Sequence, residues 1–100
     1  METEKILCHN NDYMVPASQL LTAMANEKRL QILYVLSQEE MSVGALAQKV
    51  KLSQSALSQH LAKLRALRLV STRKDAQTIY YSVTSPFIKP ILNTLDSIYS

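Results

Sequence analysis

The hydrophobic period of this chain changes after residue 67, and that change narrows the folds open to it. Before it, apolar side chains recur every three or four residues, as on one face of an α-helix. Beyond it, β-branched and aromatic residues alternate with polar ones, as along a strand. A chain of 100 residues read this way is one small domain of helices, a little sheet and a last helix.

Local signals divide the helical part into four. Pro16 fits the first position of a helix, where its missing N–H costs nothing, and Leu20, Leu21 and Met24 give that helix an apolar side. Asn26 caps a second helix with Leu30, Leu33 and Leu36 as its buried row, widened by Ile32. "QEE" at 38–40 reads as a loop. Ser42 caps a short third helix carrying Val43, Leu46, Ala47 and Val50. Ser53 caps a fourth, striped by Leu57, Leu61, Leu64 and Leu67. The short connection between the last two is that of a helix-turn-helix. The single glycine, Gly44, lies outside that turn, and close packing is the only account the sequence offers for it.

"LVSTRK" and "TIYYSV" then read as two strands, with Ile79, Tyr81 and Val83 alternating against Tyr80 and Ser82. That alternation favours packing roles for Tyr80 and Tyr81 over stacking on a ligand. "DAQ" between the strands has no glycine, which argues against a tight two-residue turn and for a longer loop around a type I turn. In "TSPFIKPILNTLDSIYS", Ser85 and Pro86 read as cap and first residue of a final helix. Pro90 makes its first turn irregular or moves its start toward residue 90. Ile91, Leu92, Leu95, Ile98 and Tyr99 form a broad apolar side. The expectation is a loosely ordered lead-in over 1–14 and one domain over 15–100. The domain is mainly α with a small β-hairpin, in the order α-α-α-α-β-β-α, a winged helix-turn-helix.

Charge sharpens this. The net charge is only +3, yet Lys49, Lys51, Lys63, Arg65, Arg68, Arg73 and Lys74 form a run of seven bases with no acid among them. The other four bases share the rest of the chain with all eight acids. A basic block in an otherwise acidic protein points to a polyanion.

"LSQSALSQHL" at 52–61 lies inside that block. With Leu57 at the centre of the helical wheel, Leu61 and Leu64 fall within about 40° of it. Ser55, Gln59, Ala62 and Ala66 fall opposite, flanked by Ser58 and Lys63. Serine and glutamine offer donors and acceptors suited to base edges in a major groove, and alanine lets a helix sit deep. Gln54 and Ser55, at the leading end, are the first candidates for base contact, followed by Ser58 and Gln59. Lys51, Ser53, Lys63 and Arg65 are placed to reach phosphates, which fix register without reading sequence. His60, at the edge of the leucine stripe, fits either a DNA contact or packing at the helix boundary. Arg73, Lys74 and Gln77 are the expected wing contacts.

Other classes find less support. No catalytic constellation presents itself, so an enzyme is not expected. One cysteine, Cys8, excludes an intrachain disulfide and a cysteine-cluster zinc site. The absence of a signal peptide or long apolar run makes the cytoplasm, at the nucleoid, the expected location, with no membrane partner. A protein-docking role is the main competitor to DNA binding, and salt-insensitive binding would favour it.

"MANEKRLQIL", "LSQSALSQHLAKLRA" and "LVSTRKDAQTIYYSV" together closely resemble the ArsR/SmtB family of bacterial winged-helix repressors, over about Leu20 to Val83. The resemblance implies a homodimer through the first and last helices, here Leu20, Leu21, Met24, Ile91, Leu92, Leu95, Ile98 and Tyr99. It also implies a palindromic or near-palindromic duplex operator, read by two helices about one turn of DNA apart. The usual role is repression, with two alternatives: activation by displacing another silencer, or a single-cysteine redox response at Cys8. Metal-sensing members carry Cys-x-Cys in the third helix or Asp/His pairs in the last. Here "SVGALAQKV" has neither Cys nor His, and the last helix has Asp96 without His, so no metal and no cofactor are expected. Arg68 stands where the family usually has Gly. If that position is left-handed, arginine there costs about 1 kcal/mol.

Overall fold

A computed structural model describes residues 11–100. A 3₁₀ turn, Asn11–Tyr13, leads directly into α1, Met14–Met24. Helical structure therefore begins ahead of the expected boundary at residue 15. Pro16 is the third helical residue rather than the first, still within the turn whose N–H groups have no helical acceptor. Cys8 and most of the expected lead-in lie outside the described residues. The helix α2, Glu27–Gln38, follows, then a two-residue strand β1, Met41–Ser42, the helices α3, Val43–Val50, and α4, Gln54–Ala66, the strands β2, Val70–Asp75, and β3, Thr78–Val83, and finally α5, Ile88–Tyr99. No helix among the described residues is long and apolar enough to cross a membrane.

Three of the four expected caps form; the fourth does not, because α5 starts at Ile88 with Phe87 as its N-cap, so Ser85 and Pro86 lie ahead of the helix. Asn26 Oδ1 accepts from the Arg29 N–H at 3.0 Å, Ser42 Oγ from Ala45 at 3.2 Å and Ser53 Oγ from Ala56 at 3.2 Å. Each gives an acceptor to a helix-end N–H that would otherwise lack one, an effect of about 1 kcal/mol per cap. The core is built largely from the leucine and isoleucine rows read from the sequence, with two departures: Ile88, in none of those rows, is buried, and Leu67, expected in the stripe of α4, lies past the end of the helix and is 42% exposed. Ile32 and Leu33 of α2, Leu46 of α3, Leu57, Leu61 and Leu64 of α4, and Ile88 of α5 are fully buried. Pro90 is the third residue of α5, and the Phe87 N–H just before the helix is held by Ser85 Oγ at 3.2 Å. The first turn tolerates Pro90 because its N–H would have been free there.

Two features of the sheet depart from expectation. It has three strands, in the order β1-β3-β2, because Met41 and Ser42 pair with Tyr81 and Tyr80. And β2 pairs with β3 up to Asp75 opposite Thr78, so the connection is a two-residue turn, Ala76–Gln77, not a longer loop. Ala76 takes φ 57°, the left-handed conformation for which glycine was the expected marker. Tyr81 and Val83 pack on the core, while Ile79 lies beyond it near the tip, 46% exposed.

Both helices of the helix-turn-helix end on a left-handed, basic residue. After α3, Lys51 has φ 59° and the Leu52 N–H bonds back to Ala47 O at 3.0 Å. After α4, Arg68 has φ 61°, with Leu69 N–H to Leu64 O at 3.0 Å and Arg68 N–H to Arg65 O at 2.9 Å. This is a Schellman ending, completed by burial of Leu64 and Leu69 together.

Candidate nucleic-acid interface

The helix α4 is pinned from one side. Leu57, Leu61 and Leu64 are at most 1% exposed, each contributing about 2 kcal/mol of apolar burial. Gln54, Ser55, Ser58, Gln59, Ala62, Lys63 and Arg65 are all exposed, and so is the cap, Ser53. The serine and glutamine side thus faces solvent as one polar surface, without a carboxylate in the helix. Lys51 is exposed at the turn leading into it. A side chain at Gly44 would meet only the Gln54 amide, at 3.8 Å, an ordinary contact, so close packing does not account for glycine there.

His60 is half-buried at the edge of this surface. Its pKa is lowered below the ordinary histidine value, first by burial and then by the cations Arg29 and Lys63.

On the wing, Lys74 and Gln77 are exposed. Arg73, expected as a free cation beside them, is engaged elsewhere. Its Nε donates to both oxygens of Glu40 at 2.9 Å, its Nη2 donates to Oε1, and its guanidinium stacks over Tyr80 with 4.7 Å to the ring centre. Asp75 Oδ2 lies 4.0 Å from its Nη1. The hydrogen bond from Arg73 holds the Glu40 carboxyl below its ordinary pKa, against a small opposing effect of burial. Glu40 reads as loop in the sequence and is 33 residues away, so no local pattern announces the pair.

The apolar sides of α1 and α5 are not equivalent along their length. Met24 is only 3% exposed and belongs to the core of its own protomer, which removes it from the set expected to meet a partner. Leu20, Ile91 and Leu92 are partly buried against the same core, and Leu95 is half-buried. Leu21, Ile98 and Tyr99 are exposed, Ile98 by 63% and Tyr99 by 85%. Tyr13, Pro16 and Leu20 also share an open apolar cleft of about 560 Å³ with Leu67 and Phe87, linking α1 to the start of α5.

A helix-turn-helix with an exposed, acid-free second helix and a sheet wing defines a winged-helix DNA-binding regulator. The sequence model of the bacterial regulatory proteins of the arsR family matches residues 26–72. The chain is 66% identical over 83 residues to nodulation protein NolR of Rhizobium meliloti, covering 83% of this chain and 68% of that protein. It is 55% identical over 80 residues to the transcriptional activator HlyU of Vibrio cholerae, covering 80% and 74%. Among solved structures, a homodimeric winged helix-turn-helix DNA-binding domain from Mycobacterium bovis matches with a TM-score of 0.74 at 27% identity, over 82% of this chain and 76% of that one. The chain belongs to the arsR family, whose members are transcription regulators rather than enzymes.

Proposed function

We infer that the protein is a dimeric repressor that reads a two-fold related operator in duplex DNA. The carrying observation is the division of α4 into a buried leucine stripe and an exposed face of serine, glutamine and alanine. Gln54, Ser55, Ser58 and Gln59 contact base edges, while Lys51, Ser53, Lys63 and Arg65 hold phosphates on either side. Lys74 and Gln77 extend the footprint from the wing. The exposed residues Leu21, Ile98 and Tyr99, with Leu20, Ile91, Leu92 and Leu95 behind them, form the contact between two copies. The two reading helices then meet half-sites about one turn of DNA apart, and a promoter under that footprint is occluded.

Selection of bound duplexes from a random library tests this: the enriched sequences carry an inverted repeat. Gln54→Ala or Gln59→Ala then costs about 1–3 kcal/mol on the selected site and little on random DNA. Equal losses on both duplexes refute base reading by α4. Activation is the second reading, favoured by the likeness to a relative described as a transcriptional activator. It uses the same contacts, and transcription from a promoter bearing the selected site, with purified polymerase and this protein alone, decides the sign.

A further inference from the structure

Three bases gather where α1, α2 and α4 meet, and only one of them belongs to the basic block of the helix-turn-helix and wing. Arg29, in the first turn of α2, and Lys63, near the end of α4, line an open cleft of about 380 Å³ with Ser18, Gln19 and Thr22 of α1. His60 lies close enough for both cations to disfavour its protonation. Among the described residues the only ion pairs are those of Arg73, so neither Arg29 nor Lys63 has a carboxylate within 4.0 Å.

The neighbouring cation shows what a purely structural role looks like. Lys28 Nζ donates to the Val50 carbonyl at 2.8 Å, satisfying the end of α3. Arg29 is held far more loosely. Among the described residues its one side-chain bond, Nη2 to Thr22 O, is 3.5 Å long, and its buried Nε has no acceptor. A guanidinium left short of acceptors, beside an ammonium and a hydroxyl, is a donor set without its anion.

We propose that this cleft binds a phosphate group, with Arg29 and Lys63 as its charged donors and the Thr22 hydroxyl as a neutral one. The group comes either from the backbone of bound duplex or from a free phosphate compound. Only the first source rests on the DNA-binding function inferred above. In that case the cleft grips the strand beside the groove that α4 enters, and Arg29 becomes a positioning contact from outside the helix-turn-helix.

Two measurements on the full chain separate the sources. In the first, inorganic phosphate is titrated at constant ionic strength against chloride, following the His60 ring resonances, which are assigned with His60→Gln. In the second, the salt dependence of binding to a duplex is compared for the wild type, Arg29→Gln and Thr22→Val. If the phosphate belongs to DNA, Arg29→Gln makes the log–log salt slope shallower by about 0.9 per protomer. If it is a free ligand, phosphate shifts His60 saturably and raises its titration midpoint, Arg29→Gln or Lys63→Gln weakens that binding about tenfold, and the salt slope of Arg29→Gln on duplex matches that of the wild type. Either result supports the site. Thr22→Val and the exposed Lys63→Gln keep the test open should Arg29→Gln fail to fold. The site is refuted if phosphate moves His60 no more than chloride does and neither Arg29→Gln nor Thr22→Val alters duplex binding. A wild type that binds no DNA yet shows the saturable phosphate shift overturns the DNA reading and leaves the cleft standing.

Discussion

Replacing Glu40 by glutamine removes the carboxylate that occupies Arg73 while leaving a side chain of the same shape. Arg73 is more than half exposed and sits beside Lys74 on the strand that runs to the wing tip, so its freed guanidinium can reach a phosphate. Each phosphate newly neutralised steepens the log–log dependence of affinity on salt by about 0.9. A two-fold dimer gains two such contacts and steepens by about 1.8. Between roughly 50 and 200 mM salt the variant therefore loses an additional factor of about 12 in affinity relative to wild type. Fluorescence anisotropy on one duplex across a salt series measures this directly. In the wild type, Arg73→Gln leaves the slope unchanged, whereas Lys74→Gln flattens it by about 0.9 per protomer. An unchanged slope in Glu40→Gln, or a flattened one in Arg73→Gln, refutes the argument that Glu40 withholds this cation from DNA.

Arg68→Gly relieves a left-handed arginine, worth about 1 kcal/mol, against the extra freedom glycine gives the unfolded chain, about 0.4–1 kcal/mol. Differential scanning calorimetry is expected to show a melting temperature between unchanged and about 5 °C higher, and a clear fall refutes the strain. Ile98→Glu, on an exposed position of α5, shifts the oligomer toward monomer in analytical ultracentrifugation and weakens operator binding with it, without lowering helix content. His60 provides a pH dependence. Its folded pKa lies below the ordinary histidine value, so the unfolded chain takes up the proton first. Stability is then fully present above the ordinary value and declines as pH falls from there toward the folded value. Between about pH 7.5 and 5 the wild type loses more melting temperature than His60→Gln, and parallel curves refute it.

What could be read from the chain was whatever local chemistry decides. Asn26, Ser42 and Ser53 cap helices because a short oxygen-bearing side chain ahead of an apolar row has a bond to make there. The leucine stripe of α4 fixed which side would be free, since four-residue spacing leaves no other face to bury. The misses are long-range or depend on strain. The strand β1 is two residues whose state is set by pairing with β3, far along the chain. Ala76 accepts a left-handed backbone because the ladder on both sides holds it, so the missing glycine misled. Arg73 and Glu40 meet only once the wing folds beside the end of α2, and Met24 turns inward by the packing of α1 on α2.

Ser42 serves two elements at once. It is the strand residue opposite Tyr80 and the cap that starts α3, so the wing and the reading head share a single hinge pin. A wing that swung on its own would have to strip the cap from α3. In the dimer proposed above, the wing and the helix-turn-helix of each copy would therefore shift together, which leaves the contact between the two copies as the place where the spacing of the reading helices can change.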